Sequence, residues 1–169
     1  MDTRSAYEQL AARANLNLGQ TSREEATDAV EATDTAAAEM DKEAMHYYLE
    51  RGEPIGLLVD EALKVGTRAL VAASSMAVYL DGPGADALAS HPARFRELLE
   101  RRAAELPDGG NTETYRAGRL LYLIAYQLGV AGALVRRSDA VEQAFAVDDL
   151  LEVAAMAWLL SELLAAPRS

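Results

Sequence analysis

Cysteine is absent from this chain of 169 residues. That excludes a disulfide framework, a thiolate zinc site, an iron–sulfur cluster and cysteine nucleophile chemistry. Lysine is nearly absent as well, with Lys42 and Lys64 standing beside fourteen arginines. Together with abundant alanine, this is the coding bias of a high-GC genome, bacterial or phage. Positive charge is scarce overall: 16 basic residues against 27 acidic ones give a formal net charge of -11. Such a surface repels a phosphate backbone unless a basic face is segregated. The nearest approach to one, residues 91–119, mixes six arginines with five acids, so no nucleic-acid partner is expected. No basic amino-terminal stretch leads into an apolar run and a cleavage site, because Asp2, Arg4, Glu8 and Arg13 interrupt the first residues. The expected address is the cytoplasm.

Long hydrophobic runs are lacking too, with one exception. Residues 120–135 carry no charge and lie between Arg119 and the pair Arg136 and Arg137. As a helix the run reaches only ~24 Å, short of the ~30 Å hydrocarbon core, and it includes Gln127, Gly129 and Gly132. A core helix of a soluble domain is therefore expected, the central one of a single core, with no membrane partner.

What remains reads as helix. No stretch alternates apolar and polar residues for long, and β-branched residues are few. Residues 7–14 form a short first helix that stops in a turn at 15–19. Thr21 and Ser22 precede Glu24 and Glu25 at capping-box spacing and open a second helix reaching about Arg51. Gly52 and Pro54 break it, and a third helix runs to Leu80 before the Asp81, Gly82, Pro83, Gly84 break. A fourth spans 93–106, a fifth is capped by Asn111 or Thr112 and ends at Arg136 and Arg137, and a sixth starts from Ser138 or Asp139 and reaches Ala166. The expected fold is one all-α domain over residues 1–169, a bundle of about six helices. A short helix and turn occupy 1–20, and a helical core at 21–166 is built on the long helices 2, 3, 5 and 6.

Three constellations could carry function. In the second helix Ala26, Val30, Thr33, Ala37, Met40, Ala44 and Tyr47 follow at spacings of four and three, a seam of small side chains that permits close helix approach, either as tight packing inside the monomer or as a helix pair between subunits. Gly118, Ala125, Gly129 and Gly132 repeat the tendency in the fifth helix, and Gly66, Ala69 and Ala73 in the third. Glu43 and His46 stand at Glu-x-x-His spacing, where the carboxylate can orient an acid–base imidazole, with Tyr122 and Tyr126 as hydroxyl groups lining a cavity. A di-iron centre would need a second such pair, and His91 has no glutamate at position 88. Asp148, Asp149 and Glu152 form DDxxE, able to hold a divalent cation but more simply a solvated acidic turn.

No nucleophile elbow or complete catalytic set accompanies these residues. The reading is a non-enzymatic helical protein-association module, homo-oligomeric or a subunit of a larger assembly, without cofactor. Val30, Ala37, Met40, Ala44 and Tyr47 are its expected interface. The acidic residues 22–43 and the Arg-rich residues 91–119 could pair within one chain or across two. The alternative is a small-molecule-binding protein or small enzyme with an interhelical cavity, using His46, Glu43 and buried tyrosines.

Overall fold

The computed structural model describes residues 4–16, 19–50, 55–106 and 113–166. Among these the chain forms six α-helices and no strand: α1 (Ala6–Ala14), α2 (Arg23–Met45), α3 (Ile55–Asp81), α4 (His91–Glu105), α5 (Glu113–Val135) and α6 (Ala140–Ala165). A π-helical turn, His46–Glu50, follows α2, and a 3₁₀ turn, Ala85–Leu88, precedes α4. The expected boundaries at Arg51, Gly52 and Pro54, the cap at Asn111 or Thr112, and Pro167 lie outside the described residues.

Local chemistry starts the helices where side-chain oxygens can satisfy orphan amides. Ser22 Oγ accepts from the Glu25 amide at 3.1 Å and donates to the Glu25 carboxylate at 3.2 Å. Asp139 Oδ1 accepts from the Val141 amide at 2.7 Å, and Ser5 Oγ from the Glu8 amide at 3.2 Å. Asn15 ends α1 with φ of 50°, the left-handed conformation that asparagine tolerates. The carboxyl end of α5 is closed by arginines. Arg136 Nη1 donates to the Gly132 carbonyl at 2.7 Å, and Arg23 reaches across from α2 to the Arg136 and Arg137 carbonyls at 3.1 and 3.0 Å.

The long helices 2, 3, 5 and 6 pack together as expected, through α3 on α6, α2 on α3 and α5 on α6, with α4 laid on α6 and α1 on α3. The centre, however, is α6. Residues 150–157 are buried without interruption, so the middle of this helix is covered on every side. α5, the expected central helix, is peripheral: Leu120, Ile124, Leu128, Ala131 and Val135 face inward, while the opposite side faces water. An uncharged run shows that a helix can be buried, but only the distribution around its axis decides how much is.

Small seams bring α3 close to its neighbours. A Cβ on Gly66 would lie 3.4 Å from Leu10 Cδ2 and 3.5 Å from Ala157 Cβ, so α1, α3 and α6 meet there at contact distance. Thr33 and Ser74, buried in the α2 and α3 seams, donate to the Ala29 and Leu70 carbonyls at 2.9 and 2.8 Å and leave no hydroxyl unsatisfied.

Candidate functional site

The α2 seam is filled by the chain itself. Val30, Ala37, Met40 and Ala44 are buried in the common core, and Tyr47 packs partly buried against it. The close approach that small side chains allow is used within this chain, between α2 and α3. These residues are therefore corrected from an outward interface to core positions.

At the far end of α2, His46 opens the π-helical turn and is partly buried. The Tyr47 and Tyr48 rings beside it meet edge to face at 4.7 Å. Glu43 is half-buried, with Oε2 out of solvent and unmatched by a hydrogen bond among the described residues. The tyrosines expected to join this corner do not. Tyr122 and Tyr126 are 62% and 60% exposed on the outside of α5, their rings stacked at 6.5 Å. Neither lines an interior cavity, which corrects their assignment as buried positioning groups.

The DDxxE residues are neither a solvated turn nor a cluster of metal donors. Among the described residues no group of three or more His, Asp or Glu side chains could hold a metal ion. Each carboxylate instead has its own protein partner. Asp148 takes a bidentate pair from Arg94, Nε to Oδ1 at 2.6 Å and Nη2 to Oδ2 at 2.8 Å, and this anion holds the guanidinium more firmly charged than usual. Glu152, only 4% exposed, accepts from Arg102 Nε at 2.6 Å and Arg101 Nη2 at 3.2 Å. Asp149 accepts from Gln127 Nε2 at 2.6 Å. Burial pushes its carboxyl up to about 6; the Gln127 hydrogen bond opposes this, and the Glu152 and Asp148 charges add to it. The three acids thus tie α4 and α5 to α6. The arginines of α4 pair with acids of α6, in place of the expected acidic partner at residues 22–43.

A second polar corner was missed by sequence reasoning. A pocket of about 300 Å³ opens where α3 ends and α4 and α6 begin, lined by Asp81, Ser90, His91, Ala140, Ala144 and Val147 among others. His91 is buried at the first turn of α4, and burial lowers its pKa against the opposing influence of the Asp81 and Asp148 charges. Its Nδ1 is itself out of solvent. The wall of the pocket is therefore a neutral ring edge. In the sequence this histidine stood out only as the second histidine of the chain, lacking the glutamate three residues earlier that a di-iron pair needs.

The largest unassigned feature is the outward side of α5. Tyr115, Tyr122 and Tyr126 stand on it, more than half exposed, together with exposed Gly118, Ala125, Gly129 and Ala133. A Cβ on Gly118 or Gly129 would meet nothing within 4 Å. Mid-helix glycine costs ~1 kcal/mol relative to alanine, and no close packing among the described residues offsets that cost here. α5 is also the one described helix long and apolar enough to cross a membrane, though only 33% of its apolar window is buried. Phe145 and Val141 of α6 are similarly exposed, one and two turns before Asp149, the residue joined to Gln127 of α5.

Fold and surface together define the class: an all-helical bundle with an apolar outward face on α5 and a second group of exposed apolar residues, Met45, Leu49 and Leu57, about the π-helical turn. No family model, curated protein or solved structure matches this chain.

Proposed function

We propose that this chain is a cytoplasmic, non-enzymatic association module that works by docking protein on the outward face of α5. The observation that carries the reading is the combination of three exposed tyrosines with two glycines that nothing among the described residues packs against. Isolated exposed apolar residues are ordinary, but a continuous apolar helix face is the usual mark of an interaction surface. Tyrosine suits such a surface, since it adds contact area and a hydroxyl at little conformational cost. The DDxxE carboxylates support the same reading by holding α5 in place, because Gln127 bonds to Asp149 while Arg94 and Arg102 fix α4 to the same helix.

The test is the native mass of the purified protein together with any polypeptide bound in fixed stoichiometry. The wild type should form a complex, and Tyr122→Glu should release it without loss of helicity. A strictly monomeric protein carrying a stoichiometric small molecule, lost on His46→Ala but retained by Tyr122→Glu, would reverse the choice in favour of a ligand-binding protein.

A further inference from the structure

Resting on the association reading, we infer that the outward face of α5 is covered by the same face of a second copy, antiparallel across a two-fold axis between Ala125 and Tyr126. Charge selects the occupant. With a net charge of -11, two copies repel one another over most orientations, and α2 alone carries eight acids between residues 22 and 43. The α5 face is different, because residues 120–135 hold no charge and Glu113 is the only acid in the helix. Residues 120–135 of the two copies meet without burying a charge, and Arg119, exposed on the same ridge, stands opposite Gly132 of the second copy. A strongly charged partner would gain nothing along the same sixteen residues.

The pattern also selects direction and register. Tyr115, Gly118, Tyr122, Tyr126, Gly129 and Ala133 recur at spacings of three and four, one continuous ridge on the outward side. A parallel pair would set each tyrosine on its counterpart and each glycine gap on another gap. In an antiparallel pair centred between Ala125 and Tyr126, Tyr122 lies over Gly129 of the second copy, and Gly118 lies beneath Ala133. Tyr115 then stands at the level of Arg136 of the second copy, within reach of a cation–π contact. Sliding one turn in one direction would bring Arg119 against Arg136, two like charges. Sliding one turn in the other direction would bring Gly118 against Gly129, two gaps. The centred register avoids both: Gly129 becomes the site where Tyr122 of the other copy enters, and Gly118 the site where Ala133 approaches closely.

Size sets the strength. The 23 residues of α5 make a strip ~34 Å long and ~10 Å wide. Two strips cover roughly 700 Å², below the ~1,200 Å² at which stable interfaces begin. The dimer is therefore a weak one, on the order of 10 µM or looser, with Phe145 and Val141 extending its apolar margin.

The lack of cysteine makes the register directly measurable, because an introduced thiol is the only one present. Sedimentation equilibrium of the wild type up to several hundred micromolar should show a reversible monomer–dimer curve. Tyr126→Glu, which sets two carboxylates side by side at the axis, should weaken it at least about tenfold with helicity and urea midpoint unchanged. Under mild oxidation Ala125→Cys should cross-link to itself. Gly118→Cys should not, but should cross-link when mixed with Ala133→Cys. A strict monomer at the highest concentration overturns the second copy; a protein partner released by Tyr122→Glu would then still leave the association reading standing. A dimer indifferent to Tyr126→Glu overturns the face, and self-cross-linking of Gly118→Cys overturns the register. A monomer that floats with phosphatidylglycerol vesicles and is released from them by Tyr126→Glu also overturns the inference, in favour of a lipid surface.

Discussion

Replacing Arg102 by alanine should cost far more than replacing its partner Glu152, although both changes remove the same ion pair. Glu152 is 4% exposed and takes hydrogen bonds from Arg102 Nε at 2.6 Å and Arg101 Nη2 at 3.2 Å. Without Arg102 the carboxylate keeps only the longer bond, to a side chain that is about half exposed. Uncompensated buried charges cost about 3–5 kcal/mol, and with Arg101 still present the lower end, ~3 kcal/mol, applies. Without Glu152, Arg102 retains the Glu105 carboxylate at 2.9 Å and can turn toward water. That loss should be ~1–2 kcal/mol, the worth of hydrogen bonds to a charged group. Replacing both residues by methionine removes the buried charge while keeping the volume, and should recover most of the Arg102→Ala loss. Urea unfolding followed by the fluorescence of Trp158, the only tryptophan, measures all three, and comparison of midpoints is valid if the slopes agree. Equal losses for the two single variants, or a loss below about 1 kcal/mol for Arg102→Ala, would refute the picture of a buried carboxylate held by this arginine.

Three further outcomes follow from the same geometry. Asp149, pushed up to about 6 by burial, binds more protons when folded than when unfolded between its ordinary value near 4 and pH 6. Its contribution to stability therefore falls as pH rises through that window; Asp149→Asn should remove this slope and equal or exceed the wild type in stability above pH 6, as read from urea midpoints at pH 5 and 7. Leu128→Asp would bury an unpaired carboxylate on the inward side of α5 and should cost several kcal/mol, ~3 or more, so a circular-dichroism melt indistinguishable from the wild type would refute the inward assignment. Leucine at both Ala37 and Ala44 should overfill the contact of α2 with α3 and lower stability by ~1–3 kcal/mol per site, whereas a change in native mass at unchanged stability would show that the seam faces outward.

Much of the architecture was legible in the sequence because helix punctuation is local. Ser22 with Glu25, Asp139, Asn15 and the Gly82 to Gly84 break act on amides and φ angles within a few residues, and they mark boundaries without knowledge of the rest of the chain. Which helix sits at the centre was not legible. Residues 120–135 lack charge, yet Tyr122 and Tyr126 face water, while α6 carries Asp148, Asp149 and Glu152 and is nevertheless enclosed. The difference lies in Arg94, Arg101 and Arg102, some fifty residues away in the chain, whose pairing permits carboxylates in an enclosed helix. Spacing along one helix cannot reveal a neutralising partner on another. The tyrosine face shows the converse: the sequence marked its small residues, but only the three-dimensional arrangement shows that nothing among the described residues fills them.

Because the enclosed helix is α6, all its packing partners are synthesised before it. α3 leaves the ribosome with its inner face uncovered, and α5 follows with the inward residues Leu120, Ile124 and Leu128 still lacking the surface they pack on. At ~5–20 residues per second, the stretch from the end of α5 to the end of α6 takes seconds. During that time the α2–α3 hairpin can form, but the bundle has no centre. Until α6 is made, the uncovered inner faces of α3 and α5 leave the nascent chain exposed to aggregation and proteolysis, and the arrival of α6 supplies the surface on which both pack. A stop codon that removed the last three turns of α6 would leave every other helix intact in sequence but take away much of the surface on which α3 and α5 pack.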